Sequence, residues 1–122
     1  MTALEDTQQR LTAAWKIHTR AYEEATNAGA ELARLLLIKA GEDEQADPRV
    51  AGLRFTTEYC YDDEGGYFDS LSVALLDEEE SDIDYDGEFE SIGPEAIRRL
   101  CGVAEGADSG QITVAEAQER SF

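Results

Sequence analysis

VAGLRFTTEYCYDDEGGYFDSLSVALL, residues 50–76, contains two predicted β-strands and the turn between them. Residues 50–61 are rich in aromatic and β-branched side chains, which favour strands. Alternation places one set of them on a single face: Phe55, Thr57, Tyr59 and Tyr61. Residues 67–76 alternate in the same way, with an aliphatic face formed by Leu71, Val73 and Leu75. DDEGG (62–66) predicts the hairpin loop, because Gly65 and Gly66 can take positive φ.

The chain beyond this hairpin predicts a third antiparallel strand. DEEES (77–81) is the expected turn, and apolar and acidic residues alternate in DIDYDGEFE (82–90). In an extended chain, Ile83, Tyr85 and Phe89 would face the core. The other face would carry a ladder of acids: Asp82, Asp84, Asp86, Glu88 and Glu90. Neighbours on that face lie about 6.6 Å apart, so their repulsion costs on the order of 1–2 kcal/mol, which suggests that the charge is used.

Residues 2–40 predict a long N-terminal helix. Thr2 and Glu5 have the spacing of a capping box, and Gly41 is the expected C-terminal cap. Residues 27–30 predict a kink or two successive helices, because glycine costs about 1 kcal/mol relative to alanine in a helix.

One face of this helix carries an apolar seam, whose members are spaced alternately four and three residues apart. The seam consists of Leu11, Trp15, His18, Tyr22, Ala25, Gly29, Leu32 and Leu36. Packing on the sheet is the default for an amphipathic helix, and we expect it for most of the seam. Its period is nearer 3.5 than 3.6, and Ala25 and Gly29 permit close approach, so a homodimer through this helix stays open.

The C-terminal part predicts short helices. Pro94 suits the first turn of a helix over 94–102, and the tail contains a turn and a short helix from Thr113. The chain is therefore predicted to be one α+β domain over 1–122. Residues 1–41 are helical, 50–90 form a three-stranded antiparallel meander, and 94–122 hold the short helices and tail.

Charge is the outlying property of the composition. The 28 acidic residues exceed the 10 basic ones, which gives a net charge of −18. Residues 1–40 are neutral, with five acids and five bases, so the remainder carries the whole excess. Between Arg54 and Arg98 there are 15 acids and no basic residue. Such a field repels nucleic acid and anionic membranes, and it attracts basic partners.

We expect the partner-binding residues among these acids. They are Asp62, Asp63, Glu64, Asp77, Glu78, Glu79, Glu80, Asp82, Asp84, Asp86, Glu88 and Glu90. Four aromatic residues would serve as contact anchors if exposed, namely Tyr61, Tyr67, Tyr85 and Phe89. In composition the chain resembles DNA-mimic inhibitors, such as phage anti-CRISPR and anti-restriction proteins, and also immunity proteins that block nuclease toxins.

The resemblance implies an inhibitory binding protein that needs no cofactor. Its partner would be a basic protein surface, on a nuclease, a CRISPR effector or another nucleic-acid-binding protein. It would act in the cytoplasm of a bacterium or a phage-infected host cell, without contacting nucleic acid or a membrane directly.

A small acidic secretion chaperone or adaptor is the alternative hypothesis. Such chaperones are similar to this chain in size, acidity and order of helix and strands. They are usually dimers that bind an unfolded effector segment through apolar grooves. Apolar grooves flanking a dimer would therefore favour this function, and a continuous acidic face would favour the first.

Calcium binding is a minor alternative. Asp82, Asp84, Asp86 and Gly87 match the start of an EF-hand loop, but the twelfth position is Gly93 instead of the bidentate glutamate. A second partial match begins at Glu105 and has Ala107 at a ligand position. Because each fragment lacks a ligand, we expect no metal site.

Catalytic motifs are not evident in the sequence. His18, the single histidine, lies on the apolar seam, and no acid or nucleophile is locally arranged with it. Cys60 and Cys101 predict two reduced, partly buried thiols. The polar start over 1–10 does not resemble a signal peptide, and the longest apolar run, 35–38, is too short to span a bilayer. We therefore expect a binding protein and not an enzyme.

Overall fold

The elements are those of an α+β protein, in a computed structural model that describes residues 2–43, 45, 48–84, 89–103 and 106–122. In chain order they are α1 (Ala3–Glu42), β1 (Gly52–Tyr61), β2 (Tyr67–Leu76), β3 (Asp82–Ile83), a 3₁₀ turn (Phe89–Ser91), α2 (Pro94–Cys101), β4 (Ser109–Thr113) and α3 (Val114–Glu119). The described strands form one antiparallel sheet in the order β3-β2-β1-β4. The predicted class is confirmed, but the sheet has one strand more than the predicted meander.

The central hairpin matches its prediction closely. β1 and β2 pair without interruption, from Gly52 opposite Leu76 to Tyr61 opposite Tyr67. Of the two turn glycines, Gly65 takes positive φ, at 87°. The uninterrupted register keeps the two predicted apolar faces on the same side of the sheet.

The core lies between one face of this sheet and the three helices. Leu53, Phe55 and Ile112 are fully buried on the sheet side, and Leu37 and Ile97 are fully buried on the helix side. The opposite face of the sheet carries small hydroxyl side chains in register across three strands: Ser72, Thr56 and Ser109. These are exposed or half-buried, so the helices cover a single face.

Helix α1 is uninterrupted, so the prediction of two successive helices is wrong. Gly29 marks a close approach instead, since a Cβ placed there would lie 2.8 Å from the Cβ of Ala96 in α2. The predicted cap at Gly41 is also wrong, because the helix continues to Glu42 and is capped by Asp43. Gly41 is buried inside the last turn, where a Cβ would lie 3.0 Å from Cγ2 of Val114. At the other end, Thr2 caps the helix as predicted.

The predicted packing of the seam on the sheet is wrong. Helix α1 packs mainly on α2 and α3 and contacts the sheet little. Its buried side, called here the body stripe, consists of Ala30, Ala33, Leu37 and Ala40. Leu11 and Trp15 of the seam are each 66% exposed. The alanines of the body stripe let α2 and α3 approach closely, and Gly29 of the seam does the same for Ala96 of α2.

The prediction of a long third strand is also wrong. β3 ends at Ile83, residues 85–88 lie outside the described residues, and Phe89–Ser91 forms a 3₁₀ turn. Phe89 and Ile92 are both buried in the core. A 3₁₀ turn has about three residues per turn, so it brings these two side chains to the same side. An extended chain would point them to opposite faces.

The additional strand, β4, pairs with the free edge of β1. Its sequence, SGQIT, contains one fully buried residue, Ile112. The helices that flank it were predicted correctly. Pro94 begins α2, and the Thr113 hydroxyl caps α3 by accepting from the backbone N–H of Glu116 at 3.1 Å. None of the helices over the described residues combines the length and the apolar character needed to cross a bilayer.

Candidate functional site

The β1–β2 hairpin extends beyond the helices that cover the sheet. Along one face of β1, exposure rises from 6% at Thr57 to 62% at Tyr59 and 79% at Tyr61. The cause is length, since ten strand residues span about 33 Å, whereas the eight residues of α2 span about 12 Å. Residues 58–66, called here the hairpin tip, therefore project with two tyrosines uncovered.

The turn of the hairpin tip is held by the carboxylate of Asp62. Its Oδ1 accepts hydrogen bonds from the backbone N–H of Glu64 at 3.0 Å and of Gly66 at 2.7 Å. The N–H of Asp62 donates to the carbonyl of Gly66 at 2.9 Å. Asp62 is thus committed to the turn, whereas Asp63 and Glu64 are exposed on it. The turn presents two carboxylates on an ordered backbone.

The β2–β3 turn has the same geometry. Oδ1 of Asp77 accepts from the backbone N–H of Glu79 at 2.8 Å and of Ser81 at 2.9 Å. Glu80 occupies the position equivalent to Gly65 and has φ of 63°. A residue with a side chain costs about 1 kcal/mol more than glycine in that left-handed conformation. DDEGG and DEEES are therefore two versions of one acidic turn, relaxed in the first and strained in the second.

The two acidic turns lie at opposite ends of the sheet. The distance between the two turns is the length of a ten-residue strand, about 33 Å. Fields of exposed charges are screened within about 8 Å at physiological ionic strength. The acids at 62–64 and those at 77–80 therefore form two separate patches and not one continuous face.

Basic and amide side chains surround the second patch but not the first. Arg54 forms an ion pair with Asp82, and Nε2 of Gln111 donates to the carboxylate of Glu80 at 3.2 Å. Arg49 lines a shallow depression together with Asp77 and its acidic neighbours. Within the described ranges, no ion pair reaches residues 62–64 or 77–80, but Arg49 and the Arg54–Asp82 pair lie beside the second turn. The hairpin tip is therefore the uncompensated acidic patch.

The predicted acidic ladder is not assembled on one strand. Asp82 and Asp84 are exposed in and after β3. Asp86 and Glu88 lie outside the described residues, and Glu90 belongs to the 3₁₀ turn. The C-terminal end of the predicted strand forms a 3₁₀ turn instead, because the turn buries Phe89.

The predicted aromatic anchors have different outcomes. Tyr61 is exposed beside the acidic turn, whereas Phe89 is 4% exposed and cannot serve as an anchor. Tyr85 lies outside the described residues, and the Tyr67 side chain does too. Tyr59, on the same face of β1 as Tyr61, is also exposed but was not predicted as an anchor. The signal for its exposure is the length of the hairpin compared with the short helix predicted after it.

Metal and nucleophile chemistry find little support in the described residues. No group of three or more histidine, cysteine or acidic side chains among them is arranged to hold a metal ion. The second calcium fragment overlaps β4, where Ile112 is buried. Both cysteines are free, and burial raises the pKa of the Cys101 thiol to about 12, so that it stays protonated. The His18 ring packs beside Trp15, with centroids 5.3 Å apart.

Comparison of the chain with known proteins finds no matching family model, no matching curated protein and no matching solved structure.

Proposed function

We propose that this protein is an acidic inhibitory binding protein that occupies a basic, nucleic-acid-binding surface of a partner protein. The observation that carries the proposal is the hairpin tip. There, Tyr59 and Tyr61 are exposed beside Asp63 and Glu64, and no described base compensates the acids. Tyrosine is enriched among the residues that dominate interface energies, and carboxylates pair with the arginines that normally hold phosphate.

The turn geometry supports binding by a preorganised group. The hydrogen bonds of Asp62 hold the backbone that carries Asp63 and Glu64. A group that is ordered before binding loses less conformational entropy on association. Carboxylates on a rigid hairpin can therefore compete with the phosphates of a nucleic acid for the same groove of the partner.

The remaining acids contribute a long-range field. The net charge of −18 steers a basic partner toward the protein and accelerates capture. In this proposal, residues 77–80, 82, 84, 86, 88 and 90 act mainly through that field, and the tip makes the contacts. Both the rate and the affinity of binding then fall as salt is added.

The experiment that tests the proposal is capture of partners from the native host at low and high salt, using three proteins. They are the wild type, Asp63→Lys/Glu64→Lys, and the matched control Glu78→Lys/Glu79→Lys. Both variants change the charge equally on equivalent turns, and both keep the aspartate that forms the turn.

We expect the wild type and the control to capture a basic nucleic-acid-binding protein at low salt. The tip variant should lose it, and adding the wild-type protein should displace nucleic acid from the captured partner. Equal capture by both variants, or capture that high salt does not weaken, would contradict the proposal.

A dimeric secretion chaperone or adaptor is the second candidate, and it is favoured by the division of the acids into two separate patches and by an apolar groove. A groove of about 530 Å³ lies between α1 and the start of α2, lined mostly by apolar atoms of residues such as Ala25, Leu32, Ile92 and Pro94. Such a groove suits an apolar peptide segment. Salt-insensitive capture of a secreted effector, unaffected by either lysine variant, would select this function over the first.

A further inference from the structure

Helix α1 carries two stripes that differ in how far they remain apolar. The body stripe is apolar from Ala30 to Ala40 and continues toward the N-terminus as threonines at 26, 19 and 12. Their hydroxyls donate to carbonyls of the same helix at 2.9–3.0 Å, so these polar groups need no hydrogen-bond partner from another chain. The seam, in contrast, carries large apolar side chains through the projecting half, at Leu4, Leu11, Trp15 and Tyr22, with Gln8 and His18 as its polar members.

The seam is uncovered where α1 leaves the rest of the protein. Every residue from 3 to 25 is exposed, including Leu11, Trp15 and Tyr22 of the seam. Most of the stability of helices in proteins comes from packing of their apolar face, and this part of α1 has no such packing within its own chain. Apolar side chains of this size, aligned at a period of 3.5, are what a two-stranded coiled coil buries.

We propose that the seam pairs with the seam of a second copy of this chain, in an antiparallel two-helix interface. The proposal concerns assembly and does not rest on the proposed function. It commits to an alignment in which the numbers of facing residues add to 40. Trp15 then faces the partner's Ala25, His18 faces the partner's Tyr22, and Leu11 lies level with the partner's Gly29, where α2 of that copy already packs.

Side-chain size supports this alignment. The large residues Leu11 and Trp15 lie in the projecting half of the seam, and the small residues Ala25 and Gly29 lie near the groove of about 530 Å³ between α1 and α2. Pairing large with small residues lets two helices interdigitate without voids. Each copy would place its two bulky residues into the groove of the other.

Charge supports a second copy and the antiparallel direction. Residues 1–40 hold five acids and five bases, so two copies of the helix do not repel each other. The other 82 residues carry the whole net charge of −18. A parallel pair would hold these two acidic bodies side by side. An antiparallel pair places them at opposite ends of a rod of about 50 Å, several Debye lengths apart.

The area is sufficient for a specific interface. The paired residues 4–36 form a face about 50 Å long and about 10 Å wide on each copy. Two such faces have roughly 1,000 Å² before side-chain relief is counted, which reaches the size of biological interfaces. The seam therefore provides both the composition and the extent that a dimer needs.

Sedimentation of the full chain tests the proposal. At tens of micromolar, a range that detects moderate affinities, we expect a mass near twice the 13.4 kDa of one chain. Leu11→Arg/Trp15→Arg should weaken dimerisation by more than about 100-fold, because it places two charges per copy in the interface. The matched control, Ala13→Arg/Ile17→Arg, has the same spacing and charge but lies off the seam, and should remain dimeric.

Disulfide trapping tests the direction, in a Cys60→Ser background. Ala21→Cys lies near the two-fold axis of the antiparallel pair and should cross-link to its own copy. Leu11→Cys should not, because it faces Gly29 of the other chain; a parallel pair would reverse these results. A monomeric wild type, a dimeric Leu11→Arg/Trp15→Arg variant, or cross-linking through Leu11→Cys alone would each overturn the proposal.

Discussion

The two halves of α1 are continuous in backbone and opposite in environment. From 30 to 41 the helix buries Ala30, Ala33, Leu37 and Ala40 against α2 and α3, whereas every residue from 3 to 25 is exposed. The projecting half is the less apolar of the two, yet it still carries large apolar side chains at Leu11, Trp15 and Tyr22. The halves also differ in which stripe is apolar and in the size of its side chains. Small residues on one side of a helix allow it to dock inside a domain, whereas the large residues on the neighbouring side stay exposed in the single chain.

The largest difference in stability between substitutions in the two halves is expected when a buried side chain is removed. Leu37→Ala is expected to lower the free energy of unfolding by about 2–5 kcal/mol, because Leu37 is 0% exposed and its loss leaves a cavity. The measurement is urea denaturation followed by circular dichroism. Ile17→Ala, at a site that is 71% exposed and off the seam, should stay within about 0.5 kcal/mol of the wild type. Equal effects of the two substitutions would show that α1 is not divided in this way.

The contact at Gly29 tests where the docked half of α1, residues 30–41, begins. Gly29→Ala adds a methyl group 2.8 Å from Ala96 Cβ, and overpacking of this kind costs about 1–3 kcal/mol. Alanine recovers up to about 1 kcal/mol through its helix propensity, so a net loss of about 1 kcal/mol is expected. In the projecting half, Ala13→Gly should weaken the helix locally and leave the denaturation midpoint of the body unchanged. A Gly29→Ala variant more stable than the wild type would contradict the close approach of α2.

The N-terminal cap should have the smallest effect, and a local one. The Thr2 hydroxyl accepts from the backbone N–H of Glu5 at 3.2 Å, and Thr2→Ala removes this bond at a cost of about 0.5–1 kcal/mol. In the monomer the projecting half opens independently of the core, so below the concentration of dimer formation hydrogen exchange over 5–10 should accelerate a few-fold, while global unfolding does not change. Thr7→Ala is the control, since the Thr7 hydroxyl bonds to the carbonyl of Ala3 and caps nothing. Loss of global stability on Thr2→Ala would mean that the two halves unfold as one unit.

The parts of the fold that local rules govern were predictable from sequence. The β1–β2 register, the Asp62 turn, the proline start of α2 and the Thr113 cap each depend on a few adjacent residues, and all agree with the structure. The third strand failed because its alternation was consistent with an extended chain, and only the space in the core favours a 3₁₀ turn at Phe89. β4 was missed because five residues with one buried side chain carry too weak a pattern.

The candidate site was predictable in composition but not in arrangement. The acids were identified by counting, and Tyr61 by its place beside them. Their division into two patches 33 Å apart follows from the hairpin length, about 3.3 Å per residue. Beside the second patch, Arg54 pairs with Asp82 and Gln111 donates to Glu80, across 28 and 31 residues of chain. Charge runs read along the chain cannot reveal such partners.

The sequence alone determined the helix, the hairpin, the turn chemistry and the excess of acid, because each depends on short-range spacing or simple composition. Only the tertiary structure decided which stripe of α1 is buried, where the third strand stops, and which acidic turn remains uncompensated. The reason is that neighbouring helix stripes are alternatives of similar local quality. The choice between them is made by the shape and charge of surfaces contributed by distant segments, here α2, α3 and the two edges of the sheet.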